Sequence, residues 1–178
     1  ALSSGELLNF NKISRDCEVS PSTVRDHYKI LEDTLIGSHL KPFKSTKGRK
    51  TVSSSKFYFF DNGVVNFLSN ITPQKKSREW GNRFEHFIFN ELKALNSYVR
   101  LKKEISFWRT QSGVEVDFIF GDTAIEVKAT SKVNASDIKG LKIISKEHSF
   151  KNLFLVSQDE ISKKYNDIHC LHWKDFLK

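Results

Sequence analysis

A chain of 178 residues with 38% hydrophobic and 12% aromatic content can fill one or two small cores. It has no apolar run near the roughly 18 residues of a membrane span and no secretory leader pattern, so neither a membrane nor an exported protein is expected. The net charge of +8 favours anionic partners, and Cys17 and Cys170 have no paired spacing, which fits the reducing cytoplasm better than a disulfide framework. The sequence starts at Ala1 and holds no Met, as expected of a piece of a longer protein.

In chain order, Ile13 to Cys17 predicts a short supporting helix and Glu18-Val19 a turn. Ser20-Pro21 then starts a second helix, with Ser at the N-cap and Pro at the first helical position, where its missing N–H costs nothing. Val24, Tyr28, Leu31 and Leu35 recur at helical spacing and predict its buried stripe. Ser38 to Phe43 and Lys56 to Phe60 predict two strands, followed after Asp61-Asn62-Gly63 by a short apolar helix from Val64 to Leu68. This is the pattern of a winged helix-turn-helix over residues 1–70, with residues 44–55 as the wing. Lys41, Lys44, Lys47, Arg49, Lys50 and Lys56 follow one another with no acid between them. Such a stripe attracts phosphate backbones without regard to base sequence, although the interspersed Ser, Thr and Gly also suit a solvated loop. Lys44, Lys47, Arg49 and Lys50 are the candidate nucleic-acid contacts. On the second helix, Ser22, Arg25, Asp26 and Lys29 make a mixed set for reading a groove.

Residues 71–80 predict a linker, with Thr72-Pro73 disfavouring helix, and residues 81–178 a second domain. From about Glu79 to Asn96, Trp80, Phe84, Phe87, Ile88, Leu92 and Leu95 mark one broad helix face. Glu85 and Glu91 both fall inside that apolar arc, so each needs a partner and periodicity does not choose between them. Glu104 to Thr110 predicts the first strand of this domain. A helix from about Ala135 to Glu147, a buried strand over Lys151 to Val156, a last edge strand from Ile168 to Trp173 and a short terminal helix complete it.

Between them, Val114 to Ala129 predicts a tight hairpin, because apolar and polar residues alternate on both sides of Gly121-Asp122 and a leading Gly suits a type II′ turn. Pairing Phe120 with Thr123 sets Phe118 opposite Ile125, Asp117 opposite Glu126, Val116 opposite Val127 and Glu115 opposite Lys128. Glu115, Asp117, Glu126 and Lys128 then share one face. Like charges placed directly opposite are destabilising, so Asp117 and Glu126 call for a cation between them, a raised carboxyl pKa or open solvent. A solvated polar face with Glu115 paired to Lys128 satisfies the same spacing. Zinc spacing, a Ser/His/Asp arrangement and a G-x-x-x-x-G-K-[ST] loop are all missing, so this stretch of chain is not expected to hydrolyse ATP.

The acidic Glu85 in Gly81-Asn82-Arg83-Phe84-Glu85, Asp117 in Glu115-Val116-Asp117, and Glu126-Val127-Lys128 together resemble the PD-(D/E)XK nuclease superfamily, with Val116 in place of the usual Pro. With Phe107-Trp108-Arg109-Thr110, the pattern also resembles the C-terminal region of uncharacterised prokaryotic AAA+ ATPases over about residues 20–145. The resemblance implies an α/β (α+β) protein: a winged helix-turn-helix followed by a restriction-endonuclease-like α-β-β-β-α-β core. It implies Mg²⁺ (or Mn²⁺) held by Glu85, Asp117 and Glu126, with Asp117, Glu126 and Lys128 catalytic and Glu91 left as a structural residue. Arg109 would reach a flanking phosphate or pair with Glu115 or Glu126. Two functions remain open: a Mg²⁺-dependent DNA endonuclease domain in the C-terminal portion of an ATPase whose ATPase module lies upstream, and a non-catalytic DNA-binding or accessory region that keeps the nuclease-like scaffold.

Overall fold

The computed structural model describes residues 1–44 and 49–178; Lys47 of the basic stripe lies outside them. The protein is mixed α/β, with six helices and eight strands among the described residues. It divides into two compact units, Ala1–Lys41 with Ser53–Thr72, and Pro42–Val52 with Pro73–Lys178.

The first unit contains α1 (Phe10–Asp16), α2 (Pro21–Asp33), β1 (Gly37–Pro42, whose last residue belongs to the other unit), β2 (Lys56–Phe59) and α3 (Asn62–Ser69). The Ser20 hydroxyl accepts from the Thr23 N–H at 3.1 Å, and Pro21 occupies the first turn of α2 as its sequence predicts. Asp61 caps α3 in the same way. β1 and β2 pair antiparallel, Gly37 with Phe59 through Leu40 with Lys56. The core is Leu8, Phe57, Phe59 and Val65, against which Phe10, Ile13, Tyr28 and Leu31 pack. Leu35 departs from the predicted stripe: α2 ends at Asp33, Leu35 takes φ 62°, and its side chain is 82% exposed. Residues 5–8, which carry no periodic signal, run beside β2 through Gly5 N–H to Phe57 O and Leu8 N–H to Ser55 O.

The second unit contains α4 (Arg78–Tyr98), β3 (Ile105–Arg109), β4 (Glu115–Phe120), β5 (Thr123–Lys128), α5 (Lys139–Glu147), β6 (Asn152–Ser157), β7 (Lys163–Tyr165), β8 (Ile168–His172) and α6 (Trp173–Phe176). Its strands lie in the order β3-β4-β5-β6-β8-β7. β3, β4 and β5 are antiparallel, whereas β5, β6 and β8 run parallel. The sequence predicts Ile168 to Trp173 as the edge strand, but β7 holds that place, since a three-residue strand is too short to show alternation. Residues 42–52, which span the end of the first predicted strand and most of the wing predicted at 44–55, also belong here. Phe43 N–H donates to Phe107 O at 2.6 Å, Val52 N–H donates to Arg109 O at 3.0 Å, and Thr51 bridges Thr110. The domain boundary predicted at residues 71–80 therefore captures only the last of the three crossings of the chain between units.

One core cluster joins Trp108, Val116, Ile119, Ala124, Leu153 and Leu155 to Ile138, Leu141 and Ile144 of the α5 region. Phe118, paired with Ile125, stacks instead on Phe89 of α4 at 5.9 Å between ring centroids. Val116 and Ile119 enter the same cluster although three residues apart, which simple alternation forbids. Ser106 pairs with Ile119 and Trp108 with Val116, so β4 takes three steps where β3 takes two. The extra residue is a β-bulge at Asp117-Phe118, a device that re-aims side chains and disturbs the ladder locally.

Candidate functional site

The hairpin has the predicted register where it is regular: Phe120 pairs with Thr123, Ile119 with Ala124 and Phe118 with Ile125, around Gly121 at φ 62°. There the β4–β5 ladder stops. Asp117 and Glu126, Val116 and Val127, and Glu115 and Lys128 are not ladder partners, because the bulge shifts β4 by one residue. In place of a ladder carbonyl, Asp117 Oδ2 accepts the Val127 N–H at 2.8 Å. The carboxylate is thus drawn between the two strands and shielded there, with 6% of the residue exposed.

Glu126, next along β5, is 5% exposed. Its Oε1 is 2.5 Å from Lys128 Nζ, whereas its Oε2 is buried and accepts no hydrogen bond among the described residues. Burial raises its carboxyl from 4.5 to about 7; Lys128 opposes that rise, and the charges of Glu115 and Glu85 add to it. Burial also works to lower the Lys128 amine, but Glu126, Asp117 and then Glu85 outweigh it and raise the amine above its ordinary value. Lys128 is therefore a standing cation, and Glu126 is the group that titrates near neutrality.

A carboxyl raised on folding binds its proton more tightly in the folded state than in the unfolded one. The folded state is then favoured at low pH, and that advantage falls as pH rises from 4.5 through about 7. The Glu126 share of this loss is about 3 kcal/mol. Glu126→Gln is expected to remove most of the decline when denaturant midpoints are measured at pH 5 and pH 8. An equal decline in the variant would show that Glu126 is not its source.

Glu85, on α4, is half-buried and lies within electrostatic range of both Glu126 and Lys128. Among the described residues, no group of three or more His, Cys, Asp or Glu side chains is gathered closely enough to hold a metal ion. The structure thus brings Asp117, Glu126 and Lys128 to one end of β4–β5, with Glu85 nearby rather than in a closed ligand set.

Arg109 pairs across the strands with Glu115, Nη1 to Oε2 at 2.7 Å. This is one of the partners foreseen for it, and it also gives Glu115 a cation other than Lys128. In the basic stripe, the Arg49 guanidinium is bound to the Glu147 carboxylate, which also accepts the Arg49 N–H at 3.1 Å. Lys44 and Lys50 are exposed, while Lys56 is buried in β2. Sequence reasoning missed the bulge and the Val127 amide that fixes Asp117, because neither has a residue-type signature.

No helix among the described residues is long and apolar enough to cross a membrane. The model of a domain of unknown function, DUF8612, matches residues 1–75. An uncharacterized protein of Mycobacterium tuberculosis and another of Mycobacterium bovis are each 27% identical to the chain over 116 residues, covering 64% of this chain and 25% of each relative. The chain therefore spans about a quarter of the length of the curated relatives it matches. No solved structure gives a significant match. The model of a second domain of unknown function, DUF4143, matches residues 80–176, more than half of the 178 residues and all of the strands around the site, and the chain belongs to that family.

Proposed function

We propose that the second unit is a Mg²⁺-dependent DNA endonuclease domain, cutting phosphodiesters at Asp117, Glu126 and Lys128, and that it forms the C-terminal portion of a cytoplasmic AAA+ type ATPase. The observation that carries the reading is the pair of buried carboxylates at a β-bulge, one with an orphaned oxygen, beside a half-buried lysine. The element order α4-β3-β4-β5-α5-β6 agrees with the α-β-β-β-α-β order expected of a restriction-endonuclease-like core, and the α-α-β-β-α order of the first unit agrees with a winged helix.

The donor set fits a hard divalent ion. Mg²⁺ is commonly held by one or two carboxylates plus substrate phosphate oxygens, so Asp117 and Glu126 suffice as the protein share, and Glu85 adds negative charge. Such an ion, when bound, binds the scissile phosphate and lowers the pKa of a bound water. The Val127 amide holds Asp117 in place, the buried oxygen of Glu126 would be its ligand atom for such an ion, and Lys128 would supply positive charge for the extra negative charge that develops on phosphorus. Lys44, Lys47 and Lys50 hold the duplex by its phosphates. Arg49 and Arg109 contribute to that contact as their carboxylate partners allow.

The second reading, a DNA-binding or accessory unit without catalysis, draws on Lys128 already pairing with Glu126 and on the lack of a closed three-ligand group among the described residues. Supercoiled plasmid incubated with the purified chain in Mg²⁺ or Mn²⁺ separates the two. Nicking that vanishes in Glu126→Ala and Lys128→Ala supports hydrolysis at this site. DNA binding without nicking supports the second reading, and cleavage unchanged in both variants refutes the assignment.

A further inference from the structure

A cleft of about 770 Å³ opens in the second unit where α5 turns into β6 and β7 turns into β8. Leu153 and Ile168, the paired early residues of parallel β6 and β8, lie at its base. The hydrolytic residues lie by the other ends of these strands, since Glu126 pairs with Leu155 and Lys128 with Ser157. The four residue steps from Leu153 to Ser157 put the cleft about 13 Å from Lys128 along the sheet.

Four lysines line the cleft, Lys142, Lys146, Lys151 and Lys164, against one carboxylate, Asp167. Lys151 is engaged by Asp122 at 2.9 Å. Lys142, Lys146 and Lys164 are exposed and make no ion pair among the described residues. Lys142 and Lys146 stand one helical turn apart on α5, about 6 Å between Cβ atoms, and Lys164 faces the cleft from β7. Uncompensated charge of one sign around a concave, low-dielectric wall focuses field and concentrates anions. The lining holds no Arg. Its cations are mobile point charges rather than the rigid forks suited to one phosphate in a fixed pose.

We propose that this cleft is a second nucleic-acid contact, which takes the sugar–phosphate backbone without regard to sequence. It rests on the nucleic-acid partner of the preceding reading but not on its hydrolytic chemistry. DNA held here and cut at the end of β5 would cross the sheet from one strand end to the other, which gives the domain a footprint longer than the cleavage site.

The test is fluorescence anisotropy of a labelled DNA duplex with the full chain, in EDTA and over a series of KCl concentrations, so that failure of the hydrolytic reading leaves it unaffected. Replacing the three unpaired lysines together (K142Q, K146Q and K164Q) should weaken binding and reduce the slope of log affinity against log salt by about 3, roughly 1 for each lysine. Asp167→Asn should tighten binding. All four positions are exposed, and a melting curve matching the wild type confirms the fold. No binding by the wild type, or an unchanged affinity and salt slope in the triple variant, overturns the proposal. So does competition by ATP as effective per phosphate as by DNA, which would make the occupant a mononucleotide.

Discussion

Lys128→Ala is expected to slow metal-dependent plasmid nicking by about 10²–10³-fold, the usual effect of removing one preorganised stabiliser of transition-state charge. Two consequences of the substitution act together. The phosphoryl group loses the cation that three nearby acids, outweighing the opposing effect of burial, hold in its charged form. Glu126 also loses the partner that restrains its rise toward the protonated state, so its carboxyl titrates higher still and the ion-binding form becomes scarcer at neutral pH. Residual activity should therefore climb more steeply with pH in the variant than in the wild type. The Lys128 side chain keeps 39% exposure, so the fold suffers less than it would on breaking a fully buried pair. Lys128→Arg, which keeps the charge but not the point geometry, should recover part of the rate. A rate within threefold of wild type in Lys128→Ala, with DNA binding intact, would remove Lys128 from the chemistry.

Gly140→Ala is expected to destabilise the second unit by about 2 kcal/mol, the upper end of what overpacking costs once the helix propensity of Ala is set against it. A Cβ at Gly140 would stand 2.1 Å from the Glu115 carbonyl oxygen and 3.2 Å from Val116 Cγ2. The first obstacle is backbone inside a sheet, which cannot swing aside as a side chain can. Relief requires α5 to lift from β4, opening the cluster built on Leu141 and Ile144. Overpacking of this kind typically costs about 1–3 kcal/mol, against the roughly 1 kcal/mol that Ala gains over Gly in a helix. The strain also reaches the site, because Glu115 pairs with Arg109 and lies two residues before Asp117. Chemical denaturation measures the change, and a variant as stable as the wild type would mean that α5 does not approach β4 this closely.

Much of this arrangement is legible in the sequence wherever a residue type carries its own geometry. Ser20-Pro21 marks the start of α2 because the hydroxyl caps and the ring fits only there. Gly121 marks the hairpin, and the alternation beside it sets the register as far as Phe118 and Ile125. The apolar face of α4 places Glu85 on the helix that packs against β5. What the sequence hides depends on partners remote in the chain. Alternation carried past Phe118 predicts Asp117 opposed to Glu126, yet the pairing with β3 absorbs an extra residue and turns Asp117 onto the Val127 amide. Leu35 keeps the helical spacing of its predecessors, but α2 stops before reaching it. Residues 44–55 read as a basic wing or solvated loop because nothing local reveals that Glu147, Thr110 and Arg109 are the partners of Arg49, Thr51 and Val52.

Binding of a divalent ion by Asp117 and Glu126 is the claim on which the hydrolytic reading stands, and a Mn²⁺ titration followed by electron paramagnetic resonance tests it directly, with an uncleavable phosphorothioate duplex present to supply the substrate oxygens. The wild-type chain is predicted to bind Mn²⁺ and, buffered near pH 6, to release protons as Glu126 ionises; Asp117→Asn and Glu126→Gln are each predicted to lose that binding. Failure of the wild type to bind Mn²⁺, or equal binding by both variants, would contradict it.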